Sequence, residues 1–128
     1  MKVLIVDDLP LDAELTQRAL QRCDNAYQVT VVSDGEEALN TLDQTRDFDV
    51  ILLDLALPKV DGFEVLKELS SKPFLSDIPI IVLSSSRSGS DQVRTRMLGA
   101  CGFVEKALDF SAFHADLART LERNGLTA

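Results

Sequence analysis

Short apolar runs alternate with amphipathic segments along almost the whole chain. The continuous runs, rich in Val and Ile, are 3–6, 50–53, 80–83 and the weaker Phe103–Val104, while Tyr27–Val32 is more mixed. Uninterrupted runs of this length are typical of strands buried on both faces, as in a parallel sheet. The mixed run fits an edge strand of the same sheet.

The segments that follow these runs have apolar residues at helical spacing. Their apolar positions are Leu11, Leu15 and Ala19 after Pro10; Ala38, Leu39 and Leu42 after a capping Asp34; Phe63, Leu66 and Leu69; Val93 and Met97 between Ser90 and Gly99; and Phe110, Phe113, Leu117 and Leu121. Strand and helix thus alternate five times. This order predicts right-handed crossovers and a parallel sheet covered by helices on both faces.

Polar residues follow four of the predicted strands at the point where each strand ends. Asp7 and Asp8 follow the first, Asp54 the third, Ser84–Ser86 the fourth and Lys106 the fifth. In a doubly wound sheet the carboxyl ends of the strands point to one edge, where ligands bind. We therefore expect the carboxylates, a hydroxyl and the ammonium group to converge on one crevice.

This set of groups fits a divalent cation and a phosphoryl group. Clustered carboxylates destabilise one another unless a cation joins them. Oxygen ligands without nearby His or Cys favour Mg²⁺ over Zn²⁺. The ammonium and hydroxyl groups are natural partners for phosphoryl oxygens, and an aspartate can itself act as the nucleophile. Each residue taken alone also has an ordinary explanation as a cap, a loop residue or a solvated charge.

Charge and cysteine content narrow the functional classes further. The 128 residues suit one domain, and the net charge of −8 disfavours binding to nucleic acid or an anionic membrane. Cys23 and Cys101 belong to no metal-binding or redox motif, and no apolar run reaches transmembrane length. The sequence predicts a cytosolic protein with two structural thiols.

Four stretches of the chain resemble the receiver domain of two-component response regulators: "VLIVDD", "ILLDLALPKVDG", "IPIIVLSSS" and "GFVEKA". The resemblance extends from about Lys2 to Glu122, and it implies a flavodoxin-like (βα)5 fold with strand order 2-1-3-4-5. Residues 1–128 would then form a single receiver domain with no output domain. "LPKVDGFEVLKEL" and "LSSS" are also similar to single-domain regulators paired with bacterial phytochrome kinases.

The resemblance implies a role for each residue at the crevice. Asp54 would accept a phosphoryl group from a sensor histidine kinase, and the similarity to phytochrome-paired regulators points to a bacteriophytochrome. Mg²⁺ would be held by Asp8, Asp54, the backbone carbonyl of Ala56 and, through water, Asp7. Ser84, Lys106 and the aromatic Phe103 would respond to phosphorylation, although Phe103 is equally well explained as core packing. The protein would be a signalling phosphoacceptor rather than an enzyme.

Two positions depart from the family pattern. The family usually has a proline with a cis peptide bond after the lysine, where this chain has Ala107. A cis bond before a non-proline residue costs about 3 kcal/mol, so we expect a trans bond or an altered loop. Ala56 replaces a larger or polar residue, which leaves its carbonyl role intact but removes a side chain.

The expected output is a change in binding. The face formed by helix 4, strand 5 and helix 5 would change on phosphorylation and bind a second copy of the chain or another protein. Four apolar residues in that region could form a dimer patch, but core packing is the favoured explanation for most of them: Val93, Met97, Phe103 and Phe113.

Three other functions remain open at this point. A magnesium-dependent phosphatase would normally have an acid where Ala56 stands, and a flavin carrier would need stacking aromatics and a phosphate loop. A docking module that is never phosphorylated is disfavoured by the complete acid set, although Ala107 keeps it possible.

Overall fold

Strands and helices alternate along the chain in the computed structural model, which describes residues 1–23, 27–45, 47–55, 62–72, 77–85, 89–106 and 109–126. The elements are β1 (Lys2–Val6), α1 (Pro10–Cys23), β2 (Gln28–Val32), α2 (Gly35–Gln44), β3 (Val50–Asp54), α3 (Gly62–Ser71), β4 (Ile80–Ser84), α4 (Gly89–Met97), β5 (Gly102–Glu105) and α5 (Phe110–Arg123). The predicted order of elements is therefore confirmed.

The strands form one parallel sheet in the order β2-β1-β3-β4-β5, the flavodoxin-like arrangement that was expected. Their register aligns the carboxyl ends: Val6 lies opposite Leu53, and Asp54 lies opposite Leu83. Further along the same edge, Ser84 lies opposite Glu105. The residues that end or follow β1, β3, β4 and β5 therefore share one edge of the sheet.

Successive strand residues contribute to two separate cores, one on each face of the sheet. Leu4 and Val6 belong to one cluster and Val3 and Ile5 to the other, as the twofold periodicity of a strand requires. All five residues of β3 and all five of β4 are buried. The central strands are thus rigidly held on both faces, which makes their carboxyl ends a fixed platform.

The expected apolar face of α1 is wrong for Leu11 and Leu15, whereas Ala19 is buried as expected. Leu11 is 75% exposed and Leu15 is 43% exposed, and the buried residues of the helix are Ala13, Thr16, Ala19 and Leu20. The buried face therefore combines three small residues with Leu20, while Leu11 and Leu15 lie on the opposite side of the helix. The i, i+4 spacing of Leu11, Leu15 and Ala19 identified the helix but not the side of it that faces the sheet.

The expected core packing of Val93 and Met97 on α4 is also wrong. Val93 is 59% exposed and Met97 is 82% exposed, whereas Thr95 is the buried residue of the helix. Phe113 on α5 is buried, which confirms core packing there. The part of the chain that the structure describes contains no helix long and apolar enough to cross a bilayer.

Gly62 begins α3 in close contact with the end of β3. Its N–H donates to the Leu55 carbonyl at 3.1 Å, and an added Cβ would lie 2.4 Å from the Leu55 Cα. Because the clash is with backbone, we expect Gly62→Ala to lower the free energy of unfolding by about 1–3 kcal/mol, measured by urea denaturation. Gly89→Ala is the matched control, since nothing lies within 4 Å of its added Cβ. Equal stability of the two variants would contradict this account of the turn.

Candidate functional site

Asp7, Asp8 and Asp54 form a compact acidic cluster at the carboxyl edge of the sheet. Each offers a carboxylate oxygen, and these oxygens lie within 4.8 Å of one another. Asp7 and Asp54 are buried, each with 3% relative exposure, and Asp8 is half-buried. Carboxylates that lie this close together and are shielded from water repel one another strongly unless a positive charge lies between them.

Asp8 carries the clearest sign that a ligand is accommodated here. Its Oδ1 atom is buried, yet it accepts no hydrogen bond from any residue that the structure describes. A buried carboxylate oxygen without a donor is costly. Together with the two neighbouring acids, it supplies the all-oxygen donor set that a hard divalent cation such as Mg²⁺ prefers. The residues present therefore fit a divalent cation.

Lys106 brings a positive charge to the same cluster from the end of β5. Its Nζ lies 3.0 Å from Oδ2 of Asp7, 3.2 Å from Oδ2 of Asp54 and 3.2 Å from Oδ2 of Asp12. The Lys106 side chain is only 16% exposed. The sequence prediction that this lysine meets the acids is thus matched by the geometry, although Lys106 and Asp7 are 99 positions apart in the chain.

Burial and the ion pairs act on these groups in a connected way. Burial raises the pKa of Asp7, and the Leu9 N–H and Lys106 counteract only part of this rise. For Lys106, burial favours the neutral amine, but the charge of Asp54 and the hydrogen bonds to Asp7 and Asp12 outweigh it, and the pKa of Lys106 is raised. The lysine therefore stays protonated as the counter-charge to the acids.

Ser84 ends β4 next to the strand that carries Asp54, and it is 5% exposed. Its carbonyl accepts a hydrogen bond from the Lys106 N–H at 2.7 Å. The backbone thus joins the two residues expected to contact phosphoryl oxygens. Phe103 is half-buried in β5 and packs against the core cluster that contains Val82, which fits both explanations given for it above.

Two of the expected features fall outside the described residues. The carbonyl of Ala56 was expected to be a metal ligand, and the Lys106–Ala107 bond was expected to be trans or in an altered loop. Both Ala56 and Ala107 lie in segments that the structure does not describe, so these two expectations stay predictions.

Asp12 is the site residue that the sequence analysis missed. It lies in the first turn of α1, and its carboxylate is 3.2 Å from the Lys106 amine. A signal was present, because the first turn of a helix that follows β1 begins at the same sheet edge as Asp7 and Asp8. The spacing of the apolar residues of α1 indicated only the helix itself.

Comparison with known proteins identifies the class to which this sheet and its acidic crevice belong. The family model described as "Response regulator receiver domain" matches residues 3–118. The chain belongs to the response regulator receiver domain family.

Solved structures of phytochrome response regulators are similar over nearly the whole chain. The bacteriophytochrome response regulator AtBRR is 40% identical, with 99% of this chain and 94% of that chain covered and a TM-score of 0.80. The phosphorylated cyanobacterial phytochrome response regulator RcpA is 35% identical, with 94% and 91% covered and a TM-score of 0.82.

The Mn²⁺-bound form of Rcp1 is 29% identical, with 98% of this chain and 94% of that chain covered and a TM-score of 0.81; Rcp1 is a response regulator of Synechocystis. Several curated relatives are longer proteins, and the chain spans 13%, 48% and 51% of the first three.

Replacing Lys106 by Met should destabilise the metal-free protein at neutral pH by about 3–5 kcal/mol, because Asp7 and Asp54 would remain buried without their cation. The raised pKa of Lys106 gives the pH dependence its sign. Its charge stabilises the folded state fully below the ordinary value of 10.5, and this contribution is lost as the pH rises through the higher folded-state pKa. The stability difference between wild type and K106M should therefore shrink at strongly alkaline pH.

Urea unfolding at a series of pH values measures this difference, with Lys67→Met as the control because Lys67 is an exposed lysine of α3. A gap between wild type and K106M that stays constant from neutral to strongly alkaline pH would show that the ion pairs do not hold the site together.

Proposed function

We propose that this receiver domain accepts a phosphoryl group on Asp54 from a histidine kinase and signals through a change in what it binds. The observation that carries the proposal is the position of the Lys106 ammonium, 3.2 Å from Oδ2 of Asp54 inside a buried acidic cluster. A cation at this distance neutralises charge where an acidic nucleophile would meet a phosphoryl group. Phosphoryl transfer depends mainly on such positioning and charge neutralisation.

The transfer step assigns a function to each protein group. A carboxylate oxygen of Asp54 forms a bond to phosphorus while the phosphorus–nitrogen bond of a phosphohistidine breaks, and the imidazole leaves with the electron pair. The Lys106 ammonium and the Ser84 hydroxyl donate hydrogen bonds to the phosphoryl oxygens. Lys106 already lies beside the nucleophile, so it needs little movement to do so. The product is an aspartyl phosphate, and the domain is a phosphoacceptor rather than a general phosphatase.

A divalent cation, Mg²⁺ in the proposal, would be held by Asp8 and Asp54, with Asp7 contributing through a water molecule and Ala56 through its backbone carbonyl. When bound, the ion supplies charge neutralisation for the phosphoryl oxygens. The unpartnered Oδ1 of Asp8 and the all-carboxylate donor set support this assignment. The Mn²⁺-bound form of Rcp1 adds support from a relative.

The proposed partners follow from the relatives and from the exposed surface of α4. AtBRR and RcpA are response regulators of phytochromes, so the proposed phosphodonor is a bacteriophytochrome histidine kinase. Val93 and Met97 are apolar and exposed on α4, and they support a homodimer through α4, β5 and α5. Phosphorylation would recruit Ser84 and Lys106 to the phosphoryl group and so shift the population of conformations of this face.

The docking-module alternative gains no support from the site, because every described residue that phosphoryl transfer would need lies at the same sheet edge. Neither the phosphatase nor the flavin carrier is favoured by any observation.

Asp54→Asn should abolish phosphorylation, since an amide cannot form the acyl phosphate. Wild type incubated with acetyl phosphate and Mg²⁺ should gain the mass of one phosphoryl group, and peptide mapping should place it on Asp54. Asp49→Asn is the matched control, because Asp49 is an exposed acid just before the same strand. Light scattering on the same samples reports dimer formation. Unmodified wild type favours a docking module, and rapid hydrolysis of the donor without stable modification favours a phosphatase.

Mg²⁺ should raise the thermal midpoint of wild type, and Asp8→Asn should remove most of that rise. The reason is that a ligand bound to the folded state alone stabilises it, by about 2.7 kcal/mol when its concentration is a hundred times Kd. Differential scanning calorimetry with and without Mg²⁺ measures the effect, with Asp49→Asn again as the control. A rise of equal size in D8N and wild type would place the cation elsewhere.

A further inference from the structure

Lys106 has a third carboxylate partner that belongs to neither the proposed metal site nor the proposed nucleophile. Its amine donates a hydrogen bond to Oδ2 of Asp12 at 3.2 Å, in addition to its contacts with Asp7 and Asp54. Asp12 is on α1 and Lys106 follows β5, so the contact joins segments 94 positions apart. The Asp12 side chain is 38% exposed, whereas the Lys106 side chain is 16% exposed.

The first turn of α1 is held in a fixed position, and Asp12 with it. The Leu9 N–H donates to Oδ1 of Asp7 at 3.0 Å, and the Ala13 N–H donates to the Leu9 carbonyl at 3.0 Å. One turn further on, the buried Thr16 hydroxyl donates to the Asp12 carbonyl at 3.1 Å. A carboxylate in the first helical turn is also favoured by the helix dipole. Asp12 is therefore presented to the crevice by a rigid support.

The three partners of Lys106 differ in what else they would do. If the proposed function holds, on which this inference rests, Asp54 becomes an acyl phosphate and Asp7 would contribute to the metal site through a water molecule. The contact of Lys106 with the Asp54 carboxylate is then replaced by contacts with the phosphoryl oxygens, so neither of these two partners holds the amine in the same way throughout the transfer. Asp12 is the one of the three without such a second role.

We propose that Asp12 is a positioning residue that holds the Lys106 amine beside Asp54. A lysine has a flexible stem with several rotatable bonds, so its amine is not fixed by the backbone alone. A carboxylate on a separate, rigid helix limits the amine to the crevice from a second direction. Asp12 does not touch the phosphoryl group and acts only through Lys106.

The test compares phosphorylation rates of variants with acetyl phosphate and Mg²⁺. Asp12→Asn should slow modification of Asp54 about two- to fivefold, the range expected for one partly exposed ion pair. Asp12→Glu keeps the carboxylate and should restore part of the rate. Glu14→Gln removes the same charge from the same helix, but Glu14 pairs with Arg18, so it should leave the rate unchanged.

A double-mutant cycle separates positioning from a general structural effect. In a Lys106→Met background, Asp12→Asn should have no further effect on the phosphorylation rate, because its only target is gone. The same four proteins are compared by urea unfolding without Mg²⁺, where the shifts in midpoint should be non-additive if the two side chains interact. An unchanged or faster D12N protein, or an equal slowing in the K106M background, would overturn the proposal.

The two proposals fail in different ways. If wild type is never modified on Asp54, the proposed function has failed. The Asp12–Lys106 interaction is then tested by the urea-unfolding cycle alone: additive shifts in midpoint refute it and non-additive shifts support it. If wild type is modified normally but Asp12→Asn and Glu14→Gln behave alike, only the positioning role is lost.

Discussion

The structure depends on one electrostatic constraint, the burial of acidic side chains at the edge of the sheet around a single ammonium group. Asp7 and Asp54 are nearly inaccessible to water, and Lys106 contacts both at 3.0–3.2 Å. Burial disfavours the ionised form of Asp7, and Lys106 compensates only in part, so the pKa of Asp7 is raised. An additional cation would therefore stabilise the site, and a change in the charge of one residue would alter the electrostatic interactions of the others.

Such a site needs a scaffold that does not relax around it. The central strands β3 and β4 are buried along their whole length and packed on both faces, so the carboxyl ends cannot separate to relieve the repulsion between acids. The backbone bond from the Lys106 N–H to the Ser84 carbonyl carries this rigidity across to β5. Stability supplied by the two cores thus permits a strained arrangement of charges at one edge.

The helices around this edge differ in how they use their apolar residues. Helix α1 buries Leu20 and leaves Leu11 and Leu15 exposed. Helix α4 exposes Val93 and Met97. Exposed apolar side chains on elements that flank a charge-sensitive site are suited to contacts with other proteins. Periodicity alone assigned these residues to the core because an apolar helix face has the same spacing whether it packs against the sheet or against a partner protein.

The sequence by itself determined the alternation of strands and helices and the convergence of Asp7, Asp8, Asp54, Ser84 and Lys106, because buried parallel strands require continuous apolar runs and their ends must share an edge. The order of the strands came from the resemblance to a family rather than from the pattern. Only the tertiary structure decided which face of each helix is buried and that Asp12 meets Lys106. These depend on distances between side chains far apart in the chain, and no local pattern of residues encodes such distances.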